Sequence, residues 1–356
     1  MMALAKASFT STIHSPSAVV FTLVFPLIFI VVFGFIGGGV FKMDVAIDSH
    51  IDKNSPIYQG LVGSHSVNII ENETDQEVES QLEKGKLDAW LNIQNTQPQG
   101  KPHYVVSLKT SKASADKAKM LKLILDDIVK SMNLSGIPKQ EDVAEIRSTE
   151  ISGRKYSTID FILPGQLGFA LLSTGVFGTA FVFFGLRQTL VLKRFFATPV
   201  KRTYIVLGEG LSRIVFALLG ALFIIVVGYY AFGFTLIHGF ATVINMLILS
   251  ALGLIVFMGF GFIVSGIANN DNAIPPMANI ITLPQFLLSG TFFSISAFPV
   301  WLQHIARVLP LTYLNDALRR IAFEGAGFQD ITKDLLILVA WGIVIYIAAA
   351  KTFKWE

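Results

Sequence analysis

Two patterns divide this chain. Long apolar windows that carry almost no ionisable side chain surround one stretch, residues 43–158, in which charges of both signs are interspersed. Nothing ionises firmly between Lys6 and Lys42, and Val19 to Ile36 is the apolar centre of that window. Asp160 and Arg187 bracket a second. From Ile214 to Asn270 there is no Asp, Glu, Lys or Arg, which leaves room for two spans and a hairpin, with Gly233 to Gly239 as the natural turn. Asn272 to Ala306 is a fourth window and Leu335 to Ala350 a fifth. A bilayer core of about 30 Å needs roughly 20 apolar residues as helix, so the pattern predicts six passes. The last window is short and borrows Lys351 and Phe353 as interfacial anchors.

Inside residues 43–158 the period changes. Met43 to Asp48 and Val67 to Ile70 gather β-formers, and Ala89 to Ile93 and His103 to Leu108 read as two further strands around the turn-rich Asn95 to Pro102. Asp75 to Lys84 is a charged helix with Val78 and Leu82 on one face. Ala113 to Met132 places Met120, Leu121, Ile124, Leu125 and Ile128 at the spacing of an amphipathic helix packed on a sheet. The expected fold is an α-helical polytopic membrane protein of six transmembrane helices with an inserted extracytoplasmic α/β domain. Its parts are 1–42, the domain 43–158, and 159–356.

Composition supports a membrane protein. The chain is 53% hydrophobic with a mean hydropathy of +0.60, and only 15% of residues are charged, against about 25% in soluble domains. It has no cysteine, which excludes disulfides and cysteine metal sites. Charge placement sets orientation. The loop after the second span holds Arg187, Lys193, Arg194, Lys201 and Arg202 with no acid, so it is expected in the cytoplasm. Both termini then lie inside and residues 43–158 outside. The first window is too long for a secretory signal and lacks a cleavage site, so it is read as a retained helix. Residues 307–334 carry balanced charge and cannot be placed this way. If the fourth window crosses twice, that loop is cytoplasmic and the C-terminus is outside. Ser289, Gly290, Pro299 and Pro310 suit instead a broken segment, which membrane depth tolerates only under cover of protein or a wet cavity.

Candidate chemistry is sparse. Glu83-Lys84-Gly85-Lys86-Leu87 has a Gly-Lys pair without the rest of the G-x-x-x-x-G-K-[ST] phosphate cradle, so no ATPase activity of that kind is expected of this chain. Six histidines show no metal-binding spacing, and no catalytic residue, metal or bound cofactor is predicted. Glu209 and Arg213 share a helix face near the start of the third span, either as a snorkelling interfacial pair or as a gating or dimer contact. Phe177, Phe181, Phe183 and Phe184, with Phe257 and Phe260, either line a route for apolar cargo or face lipid and neighbouring helices.

Two tracts carry a resemblance to a known family. Phe286 to Arg320 reads FLLSGTFFSISAFPVWLQHIARVLPLTYLNDALRR. It is similar to the C-terminal signature of the ATP-binding-cassette type 2 permeases, the membrane subunits of ABC exporters. In Arg187 to Thr203, the residues Leu192, Arg194, Phe195, Ala197, Thr198, Pro199 and Val200 resemble that family's L-x-R-L-x-A-T-P-V helix, although its usual preceding acid is missing. The resemblance implies a coupling helix to a separate ABC ATPase subunit through Arg187, Leu190, Arg194, Phe195, Thr198, Pro199 and Lys201. It implies a translocation path for which Phe177, Phe181, Phe184, Phe286, Ser289 and Phe292 are candidates. It also implies a re-entrant region over about 286–312 and a second permease subunit. ATP and Mg would be used by the partner, membrane lipid would contact the chain, and no nucleic acid is expected. The external domain resembles that of drug- and lipid-type members, through Val45 to Asp48 and through Leu82 to Gly85 with Ala89 to Ile93. A membrane-anchored receptor or assembly scaffold is the alternative function.

Overall fold

The structure is a computed structural model that describes residues 2, 5–6, 9–10, 25–35, 43–48, 51–64, 66–71, 75–96, 104–135, 144–151, 157–189 and 202–352. The chain divides into two compact units, residues 38–157 and the remainder. The described part of the first apolar window is helix α1, Phe25–Phe35.

The unit 38–157 is a five-stranded mixed sheet with helices on both faces. Its elements in order are β1 (Met43–Ile47), α2 (Pro56–Gly63), β2 (Val67–Ile70), α3 (Asp75–Glu83), β3 (Ala89–Asn95), β4 (Tyr104–Ser111), α4 (Ala115–Ser135) and β5 (Ala144–Ile151). The sheet order is β2-β1-β3-β4-β5, and only the β3–β4 pair is antiparallel. Strand alternation sorts the side chains. Val45, Leu91, Ile93, Val106 and Leu108 point to one face and pack under Ile57 and Leu61 of α2 and Leu121 and Leu125 of α4. Ala46 and Trp90 point to the other and pack under Val78 and Leu82 of α3. Helix α2 starts where Ser55 caps the Tyr58 N–H ahead of Pro56. At one end of β1 four polar residues meet. The Asp44 carboxylate accepts from Asn68 Nδ2 at 2.7 Å, while Asp88 Oδ2 accepts from the Asp44 N–H at 2.8 Å and from Lys117 Nζ at 2.9 Å.

The other unit is helical. After α1 it contains α5 (Thr158–Ser173), a π turn (Thr174–Gly178), α6 (Thr179–Gln188), α7 (Arg202–Phe232), α8 (Phe240–Ile267), α9 (Ile274–Leu288), α10 (Val300–Ala306), α11 (Pro310–Arg319), a second π turn (Arg320–Glu324) and α12 (Thr332–Thr352). Among the described residues four helical runs are long and apolar enough to cross a membrane. These are Thr158–Gln188, which is α5, the π turn and α6 together, then Tyr204–Phe232, Phe240–Ile267 and Thr332–Thr352. Helix α8 is the central one, with α5, the π turn, α6, α7, α11 and α12 packed around it. The core is correspondingly continuous, from Leu163 and Leu167 through Phe183, Met246 and Phe257 to Leu314 and Ile345. The α7–α8 break falls at Gly233–Gly239, where both glycines take positive φ, 70° and 54°, that a side chain would oppose.

Candidate functional site

At one end of the bundle α6 stops at Gln188 and α7 starts at Arg202, and the basic tract joins them in sequence. Arg187 closes α6. Its Nη2 donates to the Ala268 carbonyl, the C-cap of α8, at 2.7 Å, and its guanidinium lies 5.0 Å from the Phe184 ring centroid. A cation on the exposed carbonyl of a helix C-terminus satisfies an orphan acceptor and the helix dipole together. This bond ties the ends of α6 and α8 together. Leu190, Arg194, Phe195, Thr198, Pro199 and Lys201 lie outside the described residues.

At the opposite end the chain breaks after α9. Ser289 and Gly290 end the helix, Gly290 at φ 69°, and an irregular stretch with one short turn leads to α10. Backbone polar groups in such a stretch need partners when they are buried, and α11 supplies them. Asn315, fully buried, donates from Nδ2 to the Ser289 carbonyl at 3.0 Å and to Thr291 Oγ1 at 3.3 Å. Arg319 donates to the Gly290 carbonyl and, from Nε, to the Phe161 carbonyl at 3.0 Å. Its guanidinium also stacks 3.8 Å from the Phe161 ring centroid. Leu311 N–H bonds to Gln285 Oε1 at 3.4 Å, and Thr312 Oγ1 donates to the Ala306 carbonyl at 2.6 Å. Helix α5 comes in closely here, since a Cβ on Gly165 would stand 2.6 Å from the Thr291 carbonyl oxygen. The result is a non-helical segment covered by α5 and α11.

The aromatic candidates separate into two places. Phe286 and Phe292 meet at 4.8 Å between ring centroids, with Phe169 3.9 Å from Phe286 and Phe29 5.3 Å from Phe292. Ser289 is buried beside them in sequence, and its Oγ has no hydrogen-bond partner. Phe184 is 3% exposed and belongs to the bundle core, Phe177 is half-buried in the π turn, and Phe181 is 42% exposed on this chain. Phe286 and Phe292 thus group with Phe29 and with Phe169 of the second span, and among the described contacts Phe177, Phe181 and Phe184 do not join them.

Arg213 is turned into the bundle. It is 5% exposed, and a Cβ on Gly178 of the π turn would overlap its Nη1. Glu209, one turn earlier on α7, is half-buried.

A sequence profile of ABC-2 family transporter proteins matches residues 16–351. The chain belongs to the ABC-2 transporter family. It is 21% identical over 369 residues to ABC transporter G family member 20 of Dictyostelium discoideum, which covers 98% of this chain and 50% of that protein. It is 21% identical over 168 residues to the probable multidrug ABC transporter permease YbhR of Escherichia coli, covering 47% of this chain and 45% of that protein. To the linearmycin resistance permease protein LnrN of Bacillus subtilis it is 21% identical over 229 residues, 64% of this chain and 56% of that one. The chain spans about half the length of these relatives.

Several residues of this ABC-2 protein's candidate sites escape a reading by pattern. Phe29 and Phe169 complete the aromatic group, and each is one phenylalanine among the 30 of the chain. Asn315 and Arg319 bind the broken segment from α11, and the signal that could have found them is their i, i+4 spacing. Gln166 is fully buried with both amide atoms unpartnered, and nothing in the sequence around it marks it.

Proposed function

We propose that the chain is the permease subunit of an ABC exporter, driven by ATP hydrolysis in a separate nucleotide-binding subunit. Membership of the ABC-2 transporter family over residues 16–351 carries this reading. Relatives named as permeases, one a probable multidrug permease and one a linearmycin resistance permease, support an amphipathic small molecule or lipid as cargo. The chain works as a dimer in the plasma or inner membrane. It has six passes, both termini in the cytoplasm, and its α/β unit outside. The four long apolar helices and the short α9 fit that count when α1 forms the centre of the first pass. Helix α9 has 15 residues, about 22 Å at 1.5 Å each, and the covered, non-helical backbone that follows it supports a re-entrant segment near the outer face.

The mechanism runs from the inside outwards. ATP and Mg bind the partner subunits, whose closure pushes on residues 187–203. Arg187 transmits that push to α6 and to the end of α8 through the Ala268 carbonyl, and α7 receives it directly through Arg202. Cargo leaves between paired subunits, past the Phe286–Phe292 group and the segment that Asn315 and Arg319 hold.

Pull-down of the tagged full chain in mild detergent, followed by an ATPase assay, tests the reading. A nucleotide-binding subunit should co-purify, and its stimulated turnover should be lost in the Arg194→Ala and Pro199→Ala variants. Recovery of no ATPase across several detergents overturns the exporter in favour of the scaffold. Recovery insensitive to both variants moves the contact elsewhere on the chain.

A further inference from the structure

The run Thr158–Gln188 is not one continuous α-helix, because five residues, Thr174–Gly178, form a π turn within it. Such a turn holds one residue more than an α-helix would over the same rise, and π turns occur mostly as single bulges at functional sites. Poorer backbone geometry makes the turn costly, so its neighbours must favour it. Two helices press on it. From α8, Gly261 sits so close that a Cβ there would meet the Val176 carbonyl oxygen at 2.7 Å and that of Gly175 at 2.8 Å. From α7, the Arg213 guanidinium lies against Gly178.

Arg213 is the unusual member of this contact. Helix α7 has 31 residues, about 46 Å at 1.5 Å per residue, against a hydrocarbon core of about 30 Å. Arg213 lies about 16 Å along it from Arg202, which is inside the hydrocarbon when the helix is centred. A long cationic side chain at such a depth ordinarily snorkels to the nearest interface. This one is enclosed, and its Nε has no hydrogen-bond partner. Enclosing a cation with an unfilled N–H is costly, and the charge of Glu209 one turn earlier offsets part of that cost, so the contact with Gly178 is one that can be exchanged.

We propose that Arg213 is a positioning residue for transport: it latches the π turn, and its withdrawal from Gly178 lets the turn relax to α. Helix α7 connects the residue to the coupling tract without a break, so a push on residues 187–203 acts on the latch. Loss of the extra residue from the turn rotates α6 by about 100° relative to α5, the angle of one helical residue. Each residue from Thr179 to Gln188 then takes the bearing of its successor. Val182, half-buried now, turns to the bearing of Phe183, which is fully buried. Phe184, buried now, turns to the bearing of Gly185, where a Cβ meets nothing within 4 Å. The latch thereby decides which aromatic face of span two is presented, which deepens the proposed function and depends on it only for the force that withdraws Arg213.

The natural absence of cysteine makes the rotation measurable. Nitroxide labels are placed on Val182→Cys or Phe184→Cys in the full chain in lipid nanodiscs, and oxygen accessibility is read by power saturation. In an Arg213→Met background without nucleotide, accessibility should fall at 182 and rise at 184. Arg213→Lys should keep the pattern of the parent. Gly178→Ala is the second route, because its Cβ evicts the guanidinium and leaves Arg213 in the chain, and it should give the same opposite shifts. Unchanged labels in both Arg213→Met and Gly178→Ala overturn the latch. In the complex with a co-purified ATPase, a non-hydrolysable ATP analogue should reproduce the shifts in the parent, and failure to do so overturns the role in transport. If no ATPase co-purifies, the exporter reading fails by itself, and the two variants still decide whether Arg213 holds the turn.

Discussion

Single polar side chains show most clearly how burial changes what a residue does. Asp44 stands in β1 among apolar β-formers, and its charge reads in sequence as one of many in a solvated domain. The fold brings Asn68 from 24 residues away and Asp88 from 44 onto the same spot. Burial pushes the Asp44 carboxyl above its usual range; the Asn68 hydrogen bond opposes this, the Asp88 carboxylate adds to it, and Lys117 opposes it. A carboxyl raised in the folded state binds its proton more tightly there than in the unfolded chain. Unfolding free energy is therefore greatest below the ordinary Asp value and declines as pH rises through the raised one. Asp44→Asn removes that decline and keeps an acceptor for Asn68. The variant should be more stable than the parent at pH 7 and equal to it at low pH, as read by hydrogen exchange of residues 43–48 across pH. Equal protection at both ends of the range would mean that the carboxyl carries no cost.

Elements were legible where one face of them is apolar. The strands at Met43–Ile47, Val67–Ile70 and Ala89–Asn95, the helices α3 and α4, and the glycine break between α7 and α8 all stand within a few residues of the boundaries that periodicity predicts. Helix α2 and strand β5 did not declare themselves, for different reasons. Helix α2 is eight residues long, and its only signal is Ser55-Pro56 at the cap. Strand β5 is an edge strand, exposed along most of its length, so it has no hydrophobic period to read. The π turn at Thr174–Gly178 is silent for a third reason, since one inserted residue barely alters a nearly all-apolar pattern. Helix α11 lies within Phe286 to Arg320, the tract that the family resemblance marked as a whole. What it binds was not legible, because Ser289, Gly290 and Phe161 are brought to it by folding alone. Arg319 makes three of those contacts. Arg319→Gln shortens the reach and removes the charge, so it should cost about 2–4 kcal/mol in the bundle, as loss of charged hydrogen bonds does. The measurement is a lower melting temperature in detergent with faster hydrogen exchange over residues 289–298 and unchanged exchange in 43–48. Unaltered exchange at 289–298 would show that Asn315 holds the segment alone.

At the scale of the whole molecule, the proposed dimer needs a face, and the chain has several apolar faces from which to choose. Most are accounted for by lipid, since α7 exposes Leu219 and Phe223 and α12 exposes Ile343, Val344 and Ile347 around helices that a bilayer would surround. Helix α9 differs. Its exposed stripe, Ile280 at 75%, Leu283 and Leu287, is followed by the exposed Phe293 of the segment that α11 secures. Helices α5 and α11 cover Ser289 to Phe292, but lipid alone would leave Phe293 and Ser296 without a protein wall, whereas non-helical backbone at membrane depth requires cover on every side. A second copy or a related permease packed on α9 would supply the missing wall and tie the proposed dimer to the proposed exit route instead of to the lipid-facing helices. The cysteine-free background again gives the test. Ile280→Cys should form a covalent dimer rapidly with a short bifunctional thiol reagent in native membranes, and Ile343→Cys, on α12, should not. Equal yields at the two positions would reflect random collision and remove α9 as the interface. Dimer at Ile343 alone would transfer the contact to α12 and leave the exit route to be sought along that helix.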